Sequence, residues 1–430
     1  MIASTCYHSA MNFTPTELGA SIIFAIAVLH TFCTGYFETL ASKSPKHAGL
    51  WHLLGEVEIV FGFWAAILVI FISLIDDLGT AKAFLNKRNF TEPLFVFAIM
   101  IVAASKPILF FATKILHLLG KVLQTLLRIR STPALYFLTL AITPLLGSVI
   151  TEPAAMTLAA FLLRDLVYKH KPSITLMFAT LGVLFVNISI GGTLTNFAAP
   201  PVLMVATTWE WSSAFMFANF GIESCIAIFI NALAVTLLFH RQLLDSESVE
   251  KSAKIPLAVI LVHLLFLFGV VVFAHDPVIF MWLLLFFIGY TTAYPKHQSP
   301  LILKEALLVG FFLGGLVVLG SLQGWWLRPI LEMVSPTAVF YGSLALTAIT
   351  DNAALTYLGS LVTGTSPEFK LALVGGAVAG GGLTVIANAP NPAGIAILRA
   401  YFPNAAVSAL YLLIAAIPPT LVAIAAYRLI

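Results

Sequence analysis

The sequence predicts an all-α polytopic membrane protein, with about ten transmembrane helices plus two re-entrant hairpins, set in two inverted-topology repeats with broken helices. Three observations carry this expectation. The chain is 60% hydrophobic and only 10% charged, with a mean hydropathy of +1.01, whereas a soluble domain holds roughly 25% charged residues. Its apolar runs at 255–274 and 405–427 reach the length of about 20 residues that a spanning helix needs; the run at 278–290 does so only with its flanks. Finally, two short segments are near copies. Ile150-Thr151-Glu152-Pro153-Ala154-Ala155-Met156-Thr157 and Ile349-Thr350-Asp351-Asn352-Ala353-Ala354-Leu355-Thr356 lie 199 residues apart, agree at five of eight positions, and each keeps one acid. A carboxylate in a membrane is costly and usually functional, and a matched pair in a duplicated chain points to an ion pathway between repeats.

The elements follow from apolar runs and their breakers. Spans are expected near 17–40, 50–77 and 93–115, making up an N-terminal region 1–130. A basic segment with Lys114, Lys121, Arg128 and Arg130 leads into repeat 1, 131–240. Its first part breaks at Thr151-Glu152-Pro153 and ends at Arg164, Lys169 and Lys171. Basic residues at both ends put both on the cytoplasmic side, which describes a re-entrant hairpin. A helix from Pro172 breaks at Ile190-Gly191-Gly192-Thr193 and resumes at Pro200-Pro201. The loop 207–213 lacks Lys and Arg and reads as external, and a helix at 214–240 returns. The charge-dense segment 241–254 is the cytoplasmic linker between halves. Region 255–335 holds spans near 255–274, 277–293 and 303–321, the first two joined by the turn His275-Asp276-Pro277. Repeat 2, 336–430, holds a hairpin at 337–363, a broken helix at 369–398 and a last span at 405–427. Five crossings separate the hairpins, so they enter from opposite faces. The same count places Lys82, Lys87 and Arg88 outside, against the charge rule.

Charge and cysteine content exclude other classes. The net charge of +3 is scattered, with no Lys/Arg cluster beside stacking aromatics, so no nucleic-acid partner is expected. Cys6, Cys33 and Cys225 are isolated and offer neither a disulfide framework nor a metal site; Cys33 and Cys225 read as buried small apolar side chains. The N-terminus lacks a basic n-region, so no cleaved signal peptide is expected. No H-E-x-x-H, Ser/His or paired-Asp protease pattern stands in the chain, so no enzyme is expected. A passive channel is the remaining alternative class.

The candidate site lies at the hairpin tips and helix breaks. Glycine permits unusual backbone angles at Gly191, Gly192, Gly381 and Gly382, while Pro200 and Pro390 fix the restart of half-helices. Unwound carbonyls and half-helix C-termini attract a small cation. Thr151, Thr193, Thr195, Asn196, Thr350, Asn352, Thr384 and Asn388 would add neutral oxygens, which a hard cation favours. Glu152 and Asp351 add a titratable negative charge; a carboxyl that holds either a proton or a cation is the simplest exchanger. Of the two, Asp351 is the expected exchanging group, because Asn352 follows it. The competing reading makes each acid a cap of its half-helix. Glu38, Glu56 and Glu58, with His52, and Lys106 before Pro107 are secondary candidates. Asp165 beside Arg164 reads as an interfacial pair, Trp209, Trp211, Trp325 and Trp326 as an aromatic belt, and Gly375, Gly376, Gly380 and Gly381 as close helix packing. No metal beyond transported Na⁺ and no cofactor is expected.

At Thr-Glu-Pro-Ala-Ala, Thr-Asp-Asn-Ala-Ala, Gly-Gly-Thr-Leu-Thr-Asn and Ala-Asn-Ala-Pro-Asn-Pro the chain resembles the ion transporter superfamily, and within it the sodium/proton antiporter family. The resemblance covers about 131–430. It implies inverted repeats, a scaffold domain, a mobile transport domain, a homodimer and elevator-like alternating access. The N-terminal spans and 255–335 would then be scaffold, with the N-terminal spans contacting the second protomer. Dicarboxylate members resemble this layout but carry Ser-Asn-Thr at the tips, where Thr-Glu-Pro and Thr-Asp-Asn stand here. The expected function is Na⁺ (or Li⁺)/H⁺ exchange across a bacterial inner membrane, with the lipid bilayer and small cations as partners. The alternative is a Na⁺- or H⁺-coupled symporter of an organic anion such as a dicarboxylate.

Overall fold

The computed structural model describes residues 13–244 and 255–429. Those residues are helical with no strand. Seven helices are long and apolar enough to cross a membrane, or eight if a bent pair counts as one span, and three shorter apolar helices accompany them. The chain is thus a multi-pass membrane protein. Cys6 and residues 245–254 of the expected linker lie outside the described residues.

The chain divides into two compact units. The first comprises the described residues up to Phe90, with Phe311–Val334 and Leu358–Thr365. Helix Pro15–Thr31 starts at a capping box, in which Thr14 and Glu17 satisfy each other's backbone N–H groups. It bends by 64° into Thr34–Lys43, so the expected first span is an angled pair. The expected second span is likewise two helices, Ala48–Gly55 and Val57–Ile75. Glu56 is the residue before the second of these, and Glu58 stands in its first turn, so both are helix-start residues. Gly62 and Gly315 let two helices nearly touch: a Cβ on Gly315 would sit 2.3 Å from the Gly62 nitrogen. Small residues at crossings are the usual means of close helix contact in membranes. Gln323, fully buried, accepts hydrogen bonds from Ser21 and Trp326 on its Oε1 and donates to the Leu319 carbonyl.

The second unit comprises the described residues of Thr91–Gly310, Ser335–Tyr357 and Ser366–Ile430. The expected span at 93–115 is broken: Thr91–Ala103 ends, and Lys106–Leu127 begins behind Ser105 with proline in its first turn. Lys106 is therefore an exposed helix-start residue, and Lys114 lies along the new helix over the Phe110 ring. Cys33 is exposed and Cys225 half-buried, so neither is the core residue expected.

Within this unit two stretches follow the same plan. The first has a hairpin of two helices, Ser131–Ile150 and Glu152–Leu166, then a broken helix, Ile174–Gly191 and Pro200–Ala206, then a closing helix across 213–238. The second has Pro336–Thr347 and Asn352–Ser360, then Pro367–Gly380 and Asn391–Leu398, then Ala409–Leu429. The ends of the two stretches pair crosswise. Phe402, beyond the second broken helix, packs on Tyr168 and Phe178 at the start of the first. Conversely, Trp209 lies under Lys370 at the start of the second broken helix, and Trp211 packs on Phe220, which meets Tyr427. Buried amides join the helices between. Asn187 donates to the Leu140 and Ile228 carbonyls, and Asn231 donates to Asn187 Oδ1 and the Pro419 carbonyl.

A candidate cation site at two crossed helix breaks

The two broken helices cross where each ends. Ser189 donates to the Val378 carbonyl at 2.7 Å, and a Cβ on Gly382 would meet the Val186 nitrogen at 2.4 Å. The crossing brings two helix C-termini together. Each carries orphan carbonyls and the negative end of a helix dipole, so the place favours a cation before any side chain is considered.

Each hairpin tip then seals its own break in the same way. Thr195 donates to the Ser148 carbonyl at 2.7 Å, and Thr384 to the Ala348 carbonyl at 2.8 Å. Gly191 packs on the Pro144 carbonyl, and Gly380 on the Leu344 carbonyl. A Cβ on Gly192 would lie 2.4 Å from Glu152 Oε1, and one on Gly381 would lie 2.8 Å from Asn352 Nδ2. Every one of these pairs relates the hairpins by 200 positions, not by the 199 of the sequence match. In space Glu152 therefore corresponds to Asn352, and Thr151 to Asp351. Helix starts agree: Glu152 is the first residue of its helix, as Asn352 is of the other.

This one-residue offset separates the two acids. Asp351 stands before its helix, and its Oδ1 accepts from the Ala353 and Ala354 N–H groups at 2.8 and 3.2 Å. That is helix capping, the competing reading, and the residue is only part-buried. Glu152 has no exposed surface. Its Oε2 accepts from Asn388 Nδ2 at 2.9 Å across the repeats, and its Oε1 has no hydrogen-bond partner.

Buried oxygens without a partner also occur on the residues of the two tips and breaks. Asn352 Oδ1, Asn388 Oδ1, Asn391 Oδ1 and Thr151 Oγ1 are all buried without a partner. The two breaks hold these residues through the backbone: the Asn352 N–H donates to the Ala387 carbonyl, and Asn391 Nδ2 donates to the Gly381 and Thr384 carbonyls. Buried polar atoms are nearly always satisfied, so bare oxygens on the crossing's own residues, along with the equally bare Asn352 Nδ2 and the buried Glu152 carboxyl, have the chemistry of a cation or proton site.

The other expected ligands are elsewhere. Asn196 binds the Trp211 carbonyl and Ser213 with its amide. Thr193 turns to the Ile190 carbonyl and Ser224. Thr195 and Thr384 are committed to the hairpin carbonyls, and Thr350 donates to the Asp351 carbonyl. Pro200 and Pro390 sit at the restarts of the two half-helices. Sequence reasoning passed over Ser148, which donates to the Gly191 carbonyl and accepts from the Leu194 N–H, and over Asn391. Asn391 had a signal, since an amide between two prolines at a helix restart can only turn back on the break. Among the described residues no group of three or more His, Cys, Asp or Glu could hold a metal.

The chain matches the family described as Putative Na⁺/H⁺ antiporter over residues 15–430. No curated protein matches it. The family match takes in both units and every element of the crossing, and the chain belongs to this family of membrane antiporters.

Proposed function

We propose that this chain exchanges Na⁺ (or Li⁺) for H⁺ by alternating access, with Glu152 as the group that holds either the cation or the proton. The supporting observation is the bare, fully buried Glu152 Oε1, with unpartnered oxygens on Asn352, Asn388, Asn391 and Thr151 at the same two breaks and tips. Mechanism follows from electrostatics. An ionised carboxylate in this interior is costly unless it is paired or neutralised. A cation neutralises it with oxygen ligands; a proton neutralises it covalently. Either loaded form crosses between faces, whereas the empty charged form does not, and exchange results. Asn388 spans the repeats, so its bond to Glu152 joins the states of both breaks.

The crosswise pairing of the repeat ends supports inverted repeats with re-entrant hairpins, and so membership of the ion transporter superfamily. We extend the proposal to a homodimer, in a bacterial inner membrane, needing no cofactor. The test is purified protein in liposomes holding a pH gradient, with Na⁺, Li⁺ or K⁺ added separately. Collapse of the gradient by Na⁺ or Li⁺, abolished in Glu152→Gln and only reduced in Asp351→Asn, is the expected result. Absence of any cation response, with uptake of labelled succinate, overturns the exchange reading in favour of anion symport.

A further inference from the structure

A further acid lies inside the membrane-spanning part of the same unit. Glu223 sits in the span 213–238, ~15 Å along the helix axis from its start at 1.5 Å per residue. Its Oε2 is buried with no hydrogen-bond partner. Immediately before it the helix widens into a π-turn at Phe217–Gly221, a rare local form often found at functional sites. An ionisable group at such depth marks a functional site by default.

The next residue, Ser224, is fully buried and begins a chain of hydroxyls. Thr193 donates to the Ile190 carbonyl at 2.7 Å, which uses its only hydrogen. Its contact with Ser224 at 2.8 Å must then run from Ser224 to Thr193, and that of Tyr427 with Ser224 at 2.7 Å from Tyr427 to Ser224. All three hydroxyls therefore point one way, from Tyr427 toward the first helix break. The far end, Thr193, adjoins Gly192, the glycine packed against Glu152 Oε1. At the near end the Tyr427 oxygen is left as an acceptor, and its helix packs on the one that carries Glu223, the residue before Ser224.

We infer that Glu223, Tyr427, Ser224 and Thr193 form the route by which protons reach and leave Glu152. This rests on the exchange reading with Glu152 at the site. The Glu223 carboxyl gives its proton to Tyr427 while each hydroxyl passes its own hydrogen to the next. Thr193 rotates from the Ile190 carbonyl to deliver to Glu152. No electron moves; Glu223 ends as the carboxylate and Glu152 as the neutral acid, and the reverse sequence returns the proton.

The experiment compares two transport modes of the full chain in liposomes. Na⁺/H⁺ exchange needs the route, whereas exchange of radiolabelled Na⁺ for unlabelled Na⁺ does not. Glu223→Gln and Tyr427→Phe are each expected to slow the first about a hundredfold, the lower end of the range for a lost proton-transfer group, and to leave the second unchanged. Glu223→Asp should restore most of the rate. Equal loss of both modes, or of neither, overturns the route. Should wild-type protein move no Na⁺, the exchange reading fails, and infrared difference spectra after a pH jump decide the route alone. A carboxyl band lost in Glu223→Gln should shift in Glu152→Gln; a band indifferent to Glu152 overturns the coupling.

Discussion

At the residue scale, the site turns on how a single carboxyl is satisfied. Glu152 receives one hydrogen bond from protein, at Oε2, from Asn388. When the cation is bound the carboxylate is ionised, and a hydrogen bond to a charged group is worth about 1.5–3 kcal/mol. A protonated carboxyl loses less, because it needs the donor less. Asn388→Ala should therefore weaken Na⁺ more than H⁺, raising the Na⁺ concentration for half-maximal exchange roughly tenfold, the equivalent of about 1.4 kcal/mol. The Na⁺ dependence of exchange at fixed pH measures this, and an unaltered half-saturation would remove Asn388 from the site. The same scale explains the glycines. Gly192 and Gly381 stand where a methyl group would overlap Glu152 or Ser189, so they are required for approach and not for backbone freedom.

At the element scale, the first hairpin turns at Thr151 with φ 73 and ψ 153. That region is essentially restricted to glycine, and a β-branched residue there is strained by about 1–3 kcal/mol. The hydroxyl of this strained residue is buried and bare, which explains why a threonine stands where glycine fits better. Thr151→Ala and Thr151→Gly both remove the hydroxyl and the methyl, yet only glycine relaxes the backbone. The glycine variant should be the more stable of the two by about 1 kcal/mol, the reverse of their usual order, and both should lose Na⁺ affinity. Thermal unfolding in detergent compares them; an alanine variant of equal or greater stability would show that no strain is stored.

The tips also show what the sequence could disclose. The helix breaks were legible because glycine, proline and lone acids punctuate otherwise apolar runs. The pairing of the acids was misread by one residue, since identity aligns Glu152 with Asp351 while helix start and contacts align it with Asn352. The preference of Asp for the position before a helix was a signal in favour of the structural register. The break before Lys106-Pro107 was legible too, as a proline in a first turn behind a serine, but unbroken hydrophobicity outweighed it. Contacts such as Asn388 with Glu152, 236 positions apart, had no local signature.

At the scale of the whole molecule, the repeats must run in opposite directions for one site to be reached from both faces. Within the second unit, the start of the first stretch gathers at one end. Arg130 donates to the Leu244 carbonyl, the Ser173 N–H donates to Gln242, and Phe178 meets Phe402 from the second stretch. The other end joins Lys370 to Trp209, and Arg428 to Thr337. In a background without Cys6, Cys33 and Cys225, single cysteines at exposed positions convert these contacts into sidedness. Arg130→Cys, Lys171→Cys and Asn404→Cys should react with an impermeant reagent from one face. Glu210→Cys, Thr337→Cys and Ser366→Cys should react from the other. The leading helix of the first hairpin, with 20 residues, is by itself long enough to cross, which makes the pair at 130 and 171 decisive. If those two label from opposite faces, the hairpin is a span and a short return, and Glu152 is no longer at a re-entrant tip. If 366 labels together with 171, and 404 with 210, the repeats are parallel, and alternating access through one inverted pair is lost. Agreement on all six positions leaves Glu152 within reach of either face by exchange of the two repeats' roles alone.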